Sequence, residues 1–173
     1  MSTAQALQTL KNLIRPMSSK TATTMQTSTD SNEFISPTRF GEVTLHHDKL
    51  ITFPQGLFGF ADCTTFGLSQ VPGQPNSPML LLHCPARPEV TFVVADPQVL
   101  GLGFEQVDID AALVQLGYPN ADTQVLVILT IYKTEESASI TANLRAPLFV
   151  DTGSQRGVQF ILPNSSYNTQ HKI

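Results

Sequence analysis

The chain has 173 residues, of which 41% are hydrophobic, and a formal net charge of -4. A single domain of about this length buries roughly 70% of its unfolded surface, so one compact core is expected. The sequence contains no block of consecutive basic residues that could neutralise a row of phosphates, which disfavours direct binding of nucleic acid.

The sequence predicts an intracellular, cytoplasmic protein without a membrane anchor. No apolar run approaches the eighteen or so residues needed to span a bilayer, and nothing resembles a secretory signal. Cys63 and Cys84 are twenty-one positions apart without a CxxC pattern. We therefore expect buried free thiols rather than a redox motif or half of a zinc site.

Residues 1–37 are predicted to form a tail that is disordered or becomes ordered only on a partner. The segment 17–37 is dense in Ser and Thr and poor in aliphatic residues, so it cannot bury enough surface to offset the entropy of ordering. Residues 2–16 place apolar side chains at helical spacing, and a short amphipathic helix could form there on a partner. The same leader resembles an organelle transit peptide, and a translation start at Met17 or Met25 is a third interpretation.

Residues 38–173 are predicted to form an all-β, mainly antiparallel domain. This part carries 7 basic and 12 acidic residues, a net charge of -5. Residues 41–47 alternate apolar and polar side chains as a half-buried strand does, and the turn after them predicts a hairpin with residues 50–53. Two apolar runs, 79–84 and 90–96, predict further strands.

The second half of the domain continues the strand pattern. Residues 125–132 are continuously apolar and rich in β-branched side chains, which predicts a central strand. Residues 138–152 predict a strand with a bend at Ala146 and Pro147, because proline cannot donate to a sheet ladder. A glycine-bracketed hairpin loop then leads to the last long strand, 158–163.

One short helix is predicted within the strand-rich domain. Asp108 is its expected N-cap and Gly117 its C-terminal stop. Between them, Ile109, Ala112, Leu113 and Leu116 form an apolar stripe. Seven to nine short strands with one helix indicate a barrel or a sandwich, since closure removes exposed sheet edges.

Catalytic and metal-binding motifs are not apparent in the sequence. There is no GxSxG, P-loop or HExxH pattern. His46 and His47 are adjacent and would point to opposite faces of a strand, although His83 and Cys84 could join them near a turn. Asp96 stands before a proline at a strand end, where a turn-forming acceptor is commoner than a catalytic base. We expect no enzyme activity, no metal and no cofactor. The alternative is a small all-β enzyme or metal-binding domain of unknown reaction, with these histidines and Asp96 as the candidate residues.

The loop FPQGLFGF, residues 53–60, is unusually apolar for a loop. Two glycines permit tight backbone turns, which would either tuck its apolar side chains beneath the fold or project them outwards. A plug at one end of a barrel and an exposed patch for a protein partner are both open. We assign Phe53 and Phe60 to the core and predict that Leu57 and Phe58 are exposed.

The segment TRFGEVTLHHDKLITFPQGLFGF, from Thr38 to Phe60, resembles the opening of the FliW family of flagellar assembly factors. Three further segments follow in the order found in that family. They are FVVADP, ITANLRAPLFVDT and the closing YNTQHKI. The resemblance covers Thr38 to Ile173.

The resemblance implies a small β-barrel-like protein that binds CsrA, a dimeric RNA-binding repressor of flagellin translation. Members of this family are understood to antagonise CsrA allosterically, without occupying its RNA site, and to be sequestered in turn by flagellin. An acidic domain suits the basic CsrA, because opposite fields speed encounter. We expect a monomer when free, with partner contacts at Leu57, Phe58, Asp96, Asn143 and Arg145.

The sequence departs from the family pattern at four positions. Phe58 replaces a usual proline, and Gln55 a frequent glutamate. Arg145 adds a positive charge beside Asn143, and Gln170 stands where an arginine is common. Contacts made by the apolar loop are therefore expected to differ from those of relatives.

Overall fold

The computed structural model describes residues 32–119, 121–133 and 137–173, so the predictions for residues 1–31 lie outside the described part of the chain. The described ranges form eleven strands, one α-helix and two short 3-10 helices, at His47–Lys49 and Pro97–Leu100. The elements are β1 (Glu33–Thr38), β2 (Gly41–His46), β3 (Ile51–Thr52), β4 (Thr65–Gln70), β5 (Met79–His83), β6 (Thr91–Ala95), α1 (Gln106–Leu116), β7 (Thr123–Lys133), β8 (Ala138–Ala142), β9 (Leu148–Asp151), β10 (Arg156–Gln159) and β11 (His171–Lys172).

Seven of the strands close into a barrel. Strands β4, β5, β6 and β7 are antiparallel neighbours in chain order, β9 pairs with the first half of β7, and β10 and β3 complete the ring back to β4. Strands β3 and β10 are parallel, with Thr52 opposite Arg156, whereas the other pairs are antiparallel. The predicted all-β, barrel-like fold class with one short helix is confirmed.

Strand β7 is the central strand, as its apolar sequence predicted. On one side it pairs with β6, and on the other with β9 along residues 123–126 and with β8 along residues 129–133. Strands β8 and β9 follow one another in the chain and pair with the two ends of β7, so the chain leaves the sheet between Ala142 and Leu148. The predicted bend at Ala146 and Pro147 is this interruption, and β11 extends the sheet beyond β8.

Strands β5, β6 and β7 read as continuously apolar because both of their faces are buried. Leu80, Leu82 and Val94 belong to a cluster inside the barrel, whereas Leu81 and Val93 belong to a second cluster outside it, beneath β1 and β2. A third cluster lies between α1 and the outer face of β9 and β10. The barrel wall is therefore covered on two sides.

The ring of Phe53 lies inside the barrel against the backbone of β10. It is fully buried and meets Phe66 edge to face, with ring centroids 5.4 Å apart. A Cβ atom added to Gly157 would lie 2.4 Å from Cζ of Phe53. Strand β10 therefore needs glycine at this position so that the aromatic ring can fill the interior.

The predicted hairpin between residues 41–47 and 50–53 is wrong. Strand β2 pairs instead with β1 in a separate two-stranded sheet, and β3 pairs with β4, a strand that the sequence analysis missed. A close contact explains the arrangement, because a Cβ at Gly67 of β4 would lie 2.6 Å from the Leu45 side chain. Glycine there lets β2 lie across the face of the barrel rather than beside β3.

The predicted disorder of segment 17–37 is wrong for its last residues, because Glu33–Thr38 is strand β1. Composition does not indicate this strand, because its order depends on six backbone pairs with β2 that a Ser- and Thr-rich segment can also form. The Oγ of Ser36 lies 2.8 Å from Nε2 of His83, inside the fold. A buried hydrogen bond of this kind needs a serine, which composition alone counts as a marker of disorder.

His83 connects β1 to the barrel through both ring nitrogens. Its Nδ1 lies 3.0 Å from Oγ1 of Thr91, whose own proton is donated to the carbonyl of Pro88. These contacts fit a neutral ring in which Nδ1 donates to Thr91 and Nε2 accepts from Ser36. Burial lowers the pKa of His83 below its ordinary value of 6.5, opposed by a hydrogen bond to the Val90 backbone.

Helix α1 begins two residues before its predicted cap. Glu105 occupies the N-cap position without a side-chain hydrogen bond, and Gly117 ends the helix in the left-handed conformation, with φ 66°. The cap assigned to Asp108 is wrong, because its carboxylate accepts hydrogen bonds from Asn164 and Tyr167 instead. The predicted apolar stripe of the helix does face the barrel.

Replacing Gly157 with alanine should lower the free energy of unfolding by about 1 to 3 kcal/mol, the usual cost of overpacking a core. The added methyl group would overlap the Phe53 ring. Urea unfolding measures the change. The control is Gly103→Ala, where nothing lies within 4 Å of the added Cβ; equal effects of the two substitutions would contradict the assigned contact.

The stability of the fold should decrease as pH falls below about 6.5, with His83 contributing to the slope. The folded-state pKa of His83 is depressed, so the unfolded chain binds the proton at a higher pH. Acidification therefore stabilises the unfolded state relative to the folded state. A His83→Gln variant should be less stable overall but show a shallower decline with falling pH than the parent protein. Denaturant unfolding across this pH range tests this; an unchanged slope in His83→Gln would refute the assignment.

Candidate protein-binding surface

The apolar loop between β3 and β4 forms a tightly closed turn. Phe53 N donates to Thr64 O at 2.8 Å, and Gly56 N donates to Phe53 O at 2.9 Å. Leu57 and Phe60 form an isolated β-bridge. A Cβ at Gly56, which has φ 64°, would lie 2.2 Å from Phe60 O, so glycine is required at this turn.

This loop buries most of its apolar side chains and exposes one. Phe53 is fully buried and Phe60 packs half-buried against the interior cluster, as predicted. Leu57 is only 2% exposed, so the prediction that it points outwards is wrong. The bridge to Phe60 turns Leu57 into the barrel, whereas Phe58 between them remains 56% exposed. The loop is a plug that also carries an exposed aromatic ring.

Gln159 connects this loop to the bend between β8 and β9. Its Oε1 accepts a hydrogen bond from Phe58 N at 2.9 Å, and its Nε2 donates to Ala146 O at 3.2 Å. Ala146 N donates in turn to Oδ1 of Asn143 at 3.0 Å. Two of the predicted contact residues, Phe58 and Asn143, are therefore joined by a short chain of hydrogen bonds.

Ile161 is an exposed apolar residue that the sequence analysis did not single out. The chain beyond β10 continues in ladder fashion, since Phe160 N donates to Pro147 O at 3.0 Å and Leu162 N to Arg145 O at 2.9 Å. Phe160 and Leu162 pack toward the helix, so Ile161 lies on the opposite face and is 53% exposed. We call Phe58, Gln159 and Ile161 the rim patch.

The alternation in VQFILP was the available signal for Ile161. Val158, Phe160 and Leu162 share one face of the strand and belong to the helix-facing cluster. A strict period of two then assigns Gln159 and Ile161 to the other face. The sequence pattern predicts the strand, but which of its two faces stays uncovered depends on the packing of α1 against the other face.

Arg145 is half-buried and connects the bend to the helix. One of its guanidinium nitrogens, Nη1, donates to Asn164 O at 2.5 Å. The amide of Asn164 donates to Oδ2 of Asp108 at 2.8 Å, and the hydroxyl of Tyr167 donates to the same oxygen at 2.7 Å. These two hydrogen bonds, from Asn164 first, lower the pKa of the Asp108 carboxyl. Arg145 thus has a role in the fold, and its contact with a partner stays a prediction.

Asp96 belongs to a different feature, a groove beside the start of α1. Its Oδ1 accepts a hydrogen bond from Gln98 N at 2.8 Å and caps the 3-10 helix Pro97–Leu100. The predicted turn-forming role is confirmed. Burial raises the pKa of this carboxyl, although the hydrogen bond from Gln98 acts in the opposite direction.

The histidines offered for the alternative enzyme function do not form an accessible site. Nδ1 of His46 lies 3.5 Å from Oε1 of Glu33, and His47 stacks on Phe34 with ring centroids 4.5 Å apart. His83 has a serine hydroxyl beside it, as an acyl-transfer site would. It is fully buried, however, and its second nitrogen faces a threonine hydroxyl instead of a carboxylate.

Cys63 and Cys84 are close neighbours inside the barrel. Both are free and buried, which confirms the prediction of buried free thiols. Burial, and then a hydrogen bond with Cys84, raises the pKa of the Cys63 thiol to about 11. Within the described ranges, no group of three or more His, Cys, Asp or Glu residues could hold a metal ion. No helix in those ranges has the length and apolarity that crossing a membrane requires.

Comparison with known proteins identifies the family. A family model described as FliW protein matches residues 33–173 and so begins at the first residue of β1. The flagellar assembly factor FliW of Bacillus velezensis is 36% identical over 135 residues, covering 77% of this chain and 91% of that protein. The FliW protein of Natranaerobius thermophilus is 30% identical over 142 residues, covering 80% and 91% respectively.

The fold agrees with a solved structure of the same family. A crystal structure of the flagellar assembly factor FliW superposes with a TM-score of 0.63 at 28% identity and covers 80% of this chain and 96% of that one. The matched range, residues 33–173, contains the eleven strands and the helix of the described part of the chain. The chain belongs to the FliW family of flagellar assembly factors.

Proposed function

We propose that this protein binds the RNA-binding repressor CsrA and relieves its repression of flagellin translation allosterically, and that flagellin sequesters it in a partner switch. Membership of the FliW family is the observation that supports this most directly. On this proposal the protein is a cytoplasmic monomer when free. It acts by binding proteins rather than by catalysis and needs no cofactor.

The rim patch is our proposed contact surface for a protein partner. Phe58 and Ile161 are 56% and 53% exposed. Gln159 accepts a hydrogen bond from Phe58 N and lies on the same strand face as Ile161. Aromatic side chains are enriched among the residues that dominate binding energy at interfaces. The backbone around Phe58 is already fixed, so little ordering entropy opposes its use as an anchor.

Asn143 and Arg145 are proposed as polar contacts beside the rim patch. The Oδ1 atom of Asn143 is held by Ala146 N, which leaves its amide NH2 to donate. Arg145 uses Nη1 for Asn164, and a guanidinium carries five N–H donors in all. Both side chains are therefore oriented before a partner arrives.

The charge of the domain supports a basic partner such as CsrA. Residues 38–173 have a net charge of -5, and the resemblance implies a basic CsrA dimer. Opposite fields raise the rate of encounter and disfavour docking on acidic proteins or on nucleic acid. Association should accordingly weaken as salt concentration rises.

Purified protein should co-elute with CsrA in low salt, and Phe58→Glu should weaken this association by roughly tenfold or more while the melting temperature stays nearly unchanged. Isothermal titration calorimetry measures the affinity for CsrA, and a translation assay measures how far each variant relieves repression of a CsrA-repressed message. The matched control is Val114→Glu, which places the same charge at a side chain that is 82% exposed on α1.

Failure to co-elute in low salt would contradict the proposed function. Equal loss of affinity in Phe58→Glu and Val114→Glu would instead retain CsrA binding but reject the rim patch as its location. A shift of a flagellin leader RNA by this protein without CsrA would show a direct nucleic-acid interaction, which the proposal excludes.

Leu57→Ala should behave differently from any substitution at Phe58. Leu57 fills the barrel interior, so its truncation should lower the free energy of unfolding by about 2 to 5 kcal/mol. Phe58→Ala should change it by less than about 1 kcal/mol, since its ring is largely exposed. Urea unfolding of the two variants measures the difference; similar losses would show that Phe58 also belongs to the core.

A further inference from the structure

A groove of about 210 Å³ lies between the start of α1, the 3-10 helix Pro97–Leu100 and the start of β7. Its lining is mixed, with polar side chains from Asp96, Gln98, Gln106 and Gln124 and an aromatic wall from Phe104. Small-molecule sites usually enclose roughly 300 to 1,000 Å³. The groove is therefore of a size to take one side chain of a partner rather than a cofactor.

Asp96 is the acidic group of this groove and is 6% exposed. One of its oxygens, Oδ1, accepts the capping hydrogen bond from Gln98 N. The other, Oδ2, accepts no hydrogen bond from any residue in the described part of the chain, and Asp96 is in none of the ion pairs recorded there. Oδ2 keeps contact with solvent at the groove, whereas the rest of the Asp96 side chain is buried, so a cationic partner in the groove would offset the desolvation of this carboxylate.

The chain around the groove has a one-sided charge pattern. Residues 88–132 contain six acidic residues and no Lys, Arg or His, and every residue that lines the groove comes from this stretch. Among the residues that line the groove, the one charged side chain is that of Asp96. The field at the groove thus favours a cation and disfavours phosphate or a carboxylate.

We propose that this groove binds an arginine side chain of the partner protein, with the guanidinium paired to Asp96 Oδ2. This rests on the proposed function, since it names the chemistry by which that partner is held. Arginine fits better than lysine, because its planar head can donate to the carboxylate and to glutamine side-chain oxygens together. It can also stack on Phe104, whose ring is fixed edge to face by Tyr167 with centroids 5.2 Å apart.

A purely structural role of Asp96 makes a different prediction. If the carboxylate only caps the 3-10 helix, asparagine should replace it without consequence, because an amide oxygen accepts the same hydrogen bond. Asp96→Asn therefore keeps the cap and removes the charge. Glu42→Gln removes the same charge from an exposed position on β2, outside the groove, and is the matched control.

The first experiment uses ethylguanidinium as the probe and its neutral analogue ethylurea as the reference, followed by NMR on the full chain. We expect saturable shifts at the Asp96 carboxyl carbon, the Gln98 amide and the Phe104 ring with ethylguanidinium only. Asp96→Asn should weaken this binding by about ten- to a hundredfold, the usual effect of losing a hydrogen bond to a charged group, whereas Glu42→Gln should not. Equal shifts with ethylurea, or unchanged binding by Asp96→Asn, would overturn the cation site.

The second experiment measures CsrA affinity of the same variants by calorimetry. A tenfold or larger loss in Asp96→Asn, with Glu42→Gln near the parent, supports the groove as the partner's arginine site. Parent-like affinity in Asp96→Asn overturns this inference while the proposed function stands. Absence of CsrA binding by the parent rejects the proposed function, and the ethylguanidinium titration still decides whether the groove binds a guanidinium.

Discussion

The contact between the Phe53 ring and the backbone of Gly157 is the constraint on which the barrel depends. Phe53 begins the apolar loop, and its ring fills the interior only because β10 has no side chain at that point. The same placement anchors the loop at one end, so that the bridge between Leu57 and Phe60 closes the barrel over it. Phe58, in the two-residue turn between the bridged Leu57 and Phe60, is left 56% exposed.

From that loop, two sets of hydrogen bonds reach the bend between β8 and β9 and continue to the helix. Gln159 links the loop to the bend, and Arg145 on the bend reaches Asn164, which binds Asp108 of α1. The groove beside α1 is thus joined to the rim patch through side chains with specific partners. The hydrogen bonds that position the rim patch therefore also reach the helix that lines the groove.

Much of the fold was predictable from the sequence, because apolar runs and proline or glycine interruptions report locally on strands and turns. The central strand β7, the bend at Ala146 and Pro147, and the helix stripe follow from such patterns. The pairing partners of the strands did not follow from these local patterns. The position of β2, for example, depends on the close approach of Leu45 to Gly67 on β4, a strand that is not adjacent in the chain. The burial of Leu57 and the exposure of Ile161 do not follow from local pattern either, because each depends on which neighbouring element covers that face.

The parallel pair of β3 and β10 has a consequence for how the protein is made. Thr52 meets Arg156 across this pair, over a hundred positions later in the chain, and the barrel cannot close until that segment has left the ribosome. Long-range closure of this kind slows folding, because the entropy of a large loop is lost before the contacts that compensate it form. During synthesis, the seat of the Phe53 ring and the unpaired edge of β3 remain open to solvent and to chaperones until the last strands arrive.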